Sequence, residues 1–381
     1  MKGKFQKTAG KHGVSVWRFA LMVLSAGLTV MLLQKILTMD GLQAAERYDD
    51  GGIVAQGVAN VEEQLDLLRS GFATDSVGKT VYRLSDKKLI APKPDPQGYG
   101  TVKSFAELVP VLERADSLLA EQKLLLTEDT PILEKFGIRY YLDETILALA
   151  WKQDVEGCMY TFSEVKIAHP SQIRRFLSDG RYGSGVLYTT TEMAKSVNAV
   201  VASSGDYYQY RSFGVVVNEG TVYRAKGELL DTCYIDAEGN LLFTLAGEVT
   251  GQEQVQKFVE ENDVRFSLSF GPLMVENGEL CAPAVYNSGE IGQGYARAAL
   301  AQMDALHYVI VTANTEDPCY KVPTVGQFAE NLWKMGIPTA YALDGGQTAA
   351  LVMDQRLINK VSYGCEREIS DILYFATAIS E

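Results

Sequence analysis

Val215-Val216-Val217-Asn218-Glu219-Gly220-Thr221-Val222-Tyr223-Arg224 is the stretch that decides the fold class. β-Branched runs stand on both sides of a short Gly-containing loop. The branched side chains suit a pleated surface and the glycine supplies the turn, so this is a hairpin. The same grammar continues outward. Residues 273–275 and 279–281 flank Asn277-Gly278, the strongest short hairpin signal. Residues 146–151, 159–162, 186–188, 199–202, 307–312, 340–343, 351–353 and 372–375 read as further strands. Helices are few: one after Pro170, one starting near Thr189 or Thr191, and one starting at Thr324. The last has capping-box spacing to Gln327, buries Val325, Phe328 and Leu332, and stops at Gly336 with Pro338 beyond. The pattern predicts an α+β domain, a mixed many-stranded sheet with a few helices, over residues 128–381. That span of about 250 residues suits a single domain.

Ahead of it, residues 40–127 read as a stalk or linker. It holds an amphipathic run at 58–68, a loop with Pro92, Pro94 and Pro96, and an amphipathic helix capped by Ser104 and Glu107. Phe105, Leu108, Leu112, Ala115 and Leu119 give that helix one apolar face, for its own domain or for a second copy.

Residues 1–39 carry six basic side chains (Lys2, Lys4, Lys7, Lys11, Arg18, Lys35) and no acidic one. Residues 14–33 are apolar apart from Ser15, Arg18, Ser25, Gly27 and Thr29. At about 1.5 Å per residue such a run just spans a hydrocarbon core ~30 Å thick. The basic flank predicts a cytoplasmic N-terminus and a single-pass anchor, with the bulk of the chain extracytoplasmic. A cleaved signal peptide is the rival. The long apolar run, and the distance to the small residues Ala44 and Ala45, favour the uncleaved anchor.

Beyond the tail, 29 Lys+Arg face 48 Asp+Glu. That acidity argues against nucleic acid, which needs a basic footprint, but leaves room for a local basic pocket for one phosphate. Cys158, Cys233, Cys281, Cys319 and Cys365 form no C-x-x-C pair, and His12, His169 and His307 are too few for a His-rich metal site. Buried free thiols, no metal and no cofactor are the expectation.

Two strand-to-glycine junctions could carry chemistry. Residues 199–202 run into Ser203-Ser204-Gly205-Asp206-Tyr207-Tyr208, and 341–343 run into Asp344-Gly345-Gly346-Gln347-Thr348. Each puts a carboxylate beside glycine at a strand end, where a substrate can approach the backbone. Paired carboxylates suit glycoside chemistry, whose transition state carries positive charge on the ring. Gly-Asp and Asp-Gly-Gly are also ordinary turn sequences. Arg211, after Tyr207, Tyr208 and Tyr210, and Arg297, among Ala296, Ala298 and Ala299, need an anion each, structural or bound.

The ordered set is more specific than its members. Gly205-Asp206-Tyr207-Tyr208 is followed by Arg211, Gly214, the opening hairpin, Gly271-Pro272-Leu273, Arg297, the Thr324 helix, Leu343-Asp344-Gly345-Gly346 and Ile369-Ser370-Asp371-Ile372-Leu373-Tyr374-Phe375. This order resembles the phosphodiester glycosidase domain family, which includes bacterial exopolysaccharide-associated relatives. The resemblance implies hydrolysis of a sugar-1-phosphodiester between the anomeric carbon and the phosphate oxygen. It also implies roles: Asp344 and Asp206 near the ring, Arg297 as phosphate clamp, and Gly345, Gly346 and Thr348 as a backbone cradle. Gly205 and Arg211 join them as binding residues. Departures accompany it. Ser204 stands where the family has Asn, Gln347 and Ala349 interrupt its Gly-Ser-Ser, Ala296 and Ala298 flank Arg297, and Ala313-Asn314-Thr315 replaces its Asp-Gly-Arg.

Three readings follow: a membrane-anchored extracytoplasmic hydrolase acting on a phosphorylated surface glycan or glycolipid; an inactive relative binding a glycan or protein through the same cleft; and an envelope protein that oligomerises through residues 104–126.

Overall fold

In the computed structural model, residues 72–74, 80–82, 90–120, 122–281 and 292–378 are described. The anchor at 14–33 and the run at 58–68 lie outside them. No helix among the described residues is long and apolar enough to cross a membrane.

The strands Ile146–Val155 and Cys158–Ile167, ten residues each, form a hairpin that organises the core. Their side chains alternate between two faces, and each face has an apolar stretch. Ile146, Ala148, Ala150, Val165 and Ile167 enter one core cluster, while Leu147, Leu149, Trp151, Tyr160 and Phe162 enter a second on the opposite face. Around this pair grows a nine-stranded sheet. Its spatial order is Glu279–Leu280, Leu273–Glu276, Thr339–Leu343, Arg297–Asp304, His307–Asn314, Cys158–Ile167, Ile146–Val155, Ile138–Leu142 and Tyr99–Val102.

The second face is covered by the helices Phe105–Arg114 and Val325–Lys334, through Leu108, Val111, Phe328 and Leu332. Ser104 caps the first helix, and Thr324 and Gln327 form the expected capping box on the second. The apolar face that the sequence offered to a second copy is therefore packed on its own sheet, to which Tyr99–Val102 adds an edge strand.

The first face meets a five-stranded sheet ordered Arg356–Leu357, Leu351–Met353, Val201–Ser204, Asp371–Phe375 and Ile173–Leu177, through Val201, Leu351, Leu373 and Phe375. A second five-stranded sheet contains the opening hairpin, Gly214–Asn218 with Thr221–Lys226, under the helix Gly251–Glu261. Every strand pairing among the described residues is antiparallel, so the sheets are not mixed as expected, while the α+β class with few helices holds for this part of the chain.

Two local expectations fail. The helix after Pro170 is one 3-10 turn, Pro170–Gln172, followed by the strand Ile173–Leu177. Gln172 ties the turn down by donating to the carbonyls of Thr145 and Ala376, and residues 173–177 then pair with Asp371–Phe375. Tertiary pairing overrides the Pro signal. Residues 186–188 form no strand; Tyr188 makes a single bridge to Ile369, after the positive-φ turns at Gly183 and Gly185. Cys158, Cys233 and Cys319 are buried free thiols as expected, whereas Cys281 is half-buried and Cys365 exposed.

Candidate active site

The two strand-to-glycine junctions belong to different sheets, yet they meet. The Asp344 N–H donates to the Gly205 carbonyl at 3.3 Å, and the Ser204 hydroxyl donates to the Asp344 carbonyl at 3.0 Å. The next residues fold back on the start of the strand Arg297–Asp304. The Gly346 N–H donates to the Ala296 carbonyl at 2.7 Å, and a Cβ on Gly345 would stand 2.6 Å from that same oxygen. Glycine at 345 is thus required by a close backbone approach.

Asp344 lies at the bottom of this junction, 6% exposed, and its Oδ2 has no hydrogen-bond partner. Burial pushes its carboxyl up to about 7; the Thr348 hydroxyl and the charges of Arg211 and Arg367 oppose the rise, and Asp206 adds to it. The two arginines are held by aromatic faces. Arg211 lies 4.6 Å from the Phe270 ring and 5.2 Å from Tyr207. Arg367 lies 4.8 Å from Tyr210 and 5.5 Å from Tyr207, and donates to the Tyr207 hydroxyl at 3.3 Å. Neither makes an ion pair among the described residues. Two guanidinium groups therefore bear on one buried carboxyl from an aromatic rim.

Asp206 has a different environment. Its Oδ2 lies 3.1 Å from Arg175 Nη2 and accepts from the Ser269 N–H at 3.0 Å. Arg175 Nε donates to Asp371 Oδ2 at 2.8 Å, and that oxygen also accepts from the Asp206 N–H at 3.2 Å. The three side chains are fully buried. One guanidinium between two carboxylates leaves an excess negative charge away from water, and burial accordingly raises the Asp371 pKa. The triad fixes Gly205, where an added Cβ would stand 2.1 Å from Asp371 Oδ2. Gly205→Ala should displace that carboxylate and destabilise the chain by roughly 2–4 kcal/mol, since overpacking and a disturbed buried charge act together. Urea denaturation checks this, and a wild-type midpoint contradicts it.

Comparison with known proteins now bears on this arrangement. Residues 197–376 match the family model described as phosphodiester glycosidase. Those residues form a phosphodiester glycosidase domain. No curated protein matches the sequence. Among solved structures, the catalytic domain of zebrafish N-acetylglucosamine-1-phosphodiester alpha-N-acetylglucosaminidase, auto-inhibited by pro-peptide, is similar at 18% identity and a TM-score of 0.52, over 61% of this chain and 84% of that one. The likeness is one of fold. A hypothetical protein from Synechocystis matches at 13% identity and a TM-score of 0.45, over 65% of this chain and 64% of that one.

Within the phosphodiester glycosidase domain, the residues singled out in the sequence separate into groups. Gly205, Asp344, Gly345 and Gly346 come together at the junction. Thr348 closes the loop by donating its hydroxyl to the Gly345 carbonyl at 2.6 Å, while its N–H donates to the same oxygen at 3.2 Å. The N–H groups of Gly346 and Thr348 are thus taken up by the Ala296 and Gly345 carbonyls. Arg297 starts its strand beside this loop, but its guanidinium donates to the backbone carbonyls of Gln293 and Pro323. Arg211 reaches the electrostatic surroundings of Asp344, and Asp206 sits in the triad. Arg175 and Arg367 carry no motif in the sequence, and Asp371 stands there only within the ordered set. Arg175 shares a strand face with Ile173 and Leu177 in a segment that the sequence disguised as helix, so its only local signal is a charge on an inward-facing position.

Proposed function

We propose that this chain is a membrane-anchored extracytoplasmic hydrolase that cleaves a sugar-1-phosphodiester on a surface glycan or glycolipid, releasing a free sugar and a phosphomonoester. The family match supports the reaction class. The acid-free basic flank and apolar run at 14–33 support the anchor. The observation that carries the reading is the buried Asp344 carboxyl with an unpartnered Oδ2, with Arg211 and Arg367 contributing opposing charge.

The chemistry follows from that pairing. A phosphomonoester leaves readily, so the demand is to hold the phosphate, stabilise positive charge on the ring and admit water. Arg211 and Arg367 are the phosphate-binding groups, held in place by the rings of Tyr207, Tyr210 and Phe270. Ionised Asp344 faces the ring carbon as charge develops, and in a desolvated site that interaction is strongest in the transition state. Asp206 and Asp371, locked on Arg175, position the Gly205 side of the junction rather than touching substrate. Arg297 orders the wall behind the Gly345-Gly346 loop.

Turnover of a sugar-1-phosphodiester with a chromogenic leaving group by the purified chain tests the proposal; binding without turnover would leave a glycan-binding relative. The pH dependence has a defined sign. The working form of Asp344 is the anion, and its carboxyl titrates at about 7. The rate constant kcat/KM should therefore rise from pH 5 to 8 with a midpoint near that value. The bound phosphodiester adds a negative charge and raises the pKa further, so the midpoint of kcat should lie above that of kcat/KM. A profile that falls across this range would make Asp344 a proton donor instead.

A further inference from the structure

A cavity of mixed lining lies apart from the Asp344 junction, with Phe136, Trp151, Leu357 and Ile358 in its wall beside charged and polar groups. A pocket of about 460 Å3 opens between the nine-stranded sheet and the loop that follows Arg356–Leu357. Arg139, Lys152 and Thr161 line it from the sheet, Asn359 and Lys360 from the loop, with Glu316 alongside. Strand register explains the sheet side. Arg139 pairs with Ala150, and Lys152 pairs with Thr161. Ala150 and Lys152 are two apart on one strand, so all four side chains share a face. Further along, that face is core, with Ala148 and Ile146. At this end the apolar alternation gives way to charge.

Glu316 binds Lys152 through both carboxylate oxygens at 2.7 Å, which neutralises one cation. Arg139 and Lys360 are exposed, and neither makes an ion pair among the described residues. Thr161 is 1% exposed, and its hydroxyl has no hydrogen-bond partner. A buried hydroxyl left unpaired costs on the order of 1–3 kcal/mol. The pocket thus presents two cations outside any ion pair and an unused buried hydroxyl, on a chain whose net charge is −13. Arg139, Lys152 and Thr161 also precede the family match, which begins at residue 197.

We propose that this pocket is a second binding site, for a phosphate group carried on a sugar, separate from the cleft at Asp344. Donors from the sheet, from the loop and from a buried hydroxyl suit a tetrahedral anion with several acceptor oxygens better than a flat carboxylate. The site would hold a neighbouring phosphate of the same glycan while Asp344 meets the scissile one. It rests on the hydrolase reading only for the identity of the sugar; the anion site stands without it.

Titration calorimetry of the detergent-solubilised full chain with inorganic phosphate at low ionic strength tests the site. Replacing both exposed cations, R139A/K360A, should weaken one phosphate-binding event by tenfold or more while leaving turnover of a small chromogenic sugar-1-phosphodiester unchanged. Thr161→Val, which keeps the side-chain shape, should weaken the same event several-fold. Arg211→Ala should leave that event intact. An isotherm unchanged by R139A/K360A, or the loss of all phosphate binding with Arg211→Ala alone, overturns the proposal. Neither result bears on whether Asp344 cleaves its substrate.

Discussion

Asp344→Asn should lower kcat/KM for a sugar-1-phosphodiester by about a thousandfold or more and, at the same time, make the protein harder to unfold at pH 8. The first effect follows from removing a desolvated anion from a reaction centre that becomes cationic; at about 1.4 kcal/mol per factor of ten it corresponds to roughly 4 kcal/mol of transition-state stabilisation. The second follows from linkage. An unfolded aspartate titrates near 3.9, whereas burial holds the folded Asp344 at about 7. The folded state binds this proton more tightly, so the contribution is fully present below the unfolded pKa and is lost as pH rises to about 7. Above that pH the ionised side chain costs the fold roughly 2–4 kcal/mol, taking about 1.4 kcal/mol per pKa unit and discounting for relaxation. Asparagine carries no such cost. Denaturant midpoints at pH 5 and pH 8 should differ less in Asp344→Asn than in the wild-type chain. An inactive variant with unchanged pH dependence of stability would mean that the carboxyl is not buried in solution. A fully active variant would move the site elsewhere.

The parts of this site that were legible in the sequence are those signalled locally. Asn218-Glu219-Gly220 and Asn277-Gly278 gave hairpins because a loop containing glycine, and positive φ at residues such as Glu219 and Asn277, can be read from a few neighbours. Thr324 and Gln327 marked a helix start because a capping box is a four-residue device. The meeting of Gly205 with Asp344 is different. It joins strand ends in separate sheets, and only the order of motifs along the chain suggested it. For Arg297 the residues alone asked for an anion, structural or bound, and only the resemblance made it a phosphate clamp; the carbonyls of Gln293 and Pro323 that its guanidinium meets carry no signal in the sequence. Arg367 gave no signal, since its partners Tyr207 and Tyr210 stand on a loop far away in sequence. Arg175 and Asp371 are 196 residues apart, and pattern reading carries no term for such a pair.

That pair supplies the other large effect. Arg175→Met should destabilise the chain by about 3–5 kcal/mol at pH 8, because truncating one partner of a buried ion cluster leaves the remaining charges uncompensated. Here the loss is doubled. Asp206 and Asp371 both depend on Arg175, and both are shut away from water. Methionine fills much of the same space, so the cost is electrostatic rather than a cavity. Two comparisons separate this from simple misfolding. In Arg175→Met the Asp371 carboxyl, raised by burial and held down by Arg175, should be protonated in the folded state at higher pH than in the wild-type chain, so the deficit should shrink as the pH is lowered towards 5. Neutralising the partners as well, in the triple variant R175M/D206N/D371N, should recover most of the lost stability, since a buried ion cluster costs about as much to desolvate as it returns. The recovered protein should still turn over slowly, because the Gly205 N–H bonds to the Asp371 backbone carbonyl, not to its side chain. Equal denaturant midpoints for Arg175→Met and the triple variant at pH 8 would show that the triad is held by packing and not by charge.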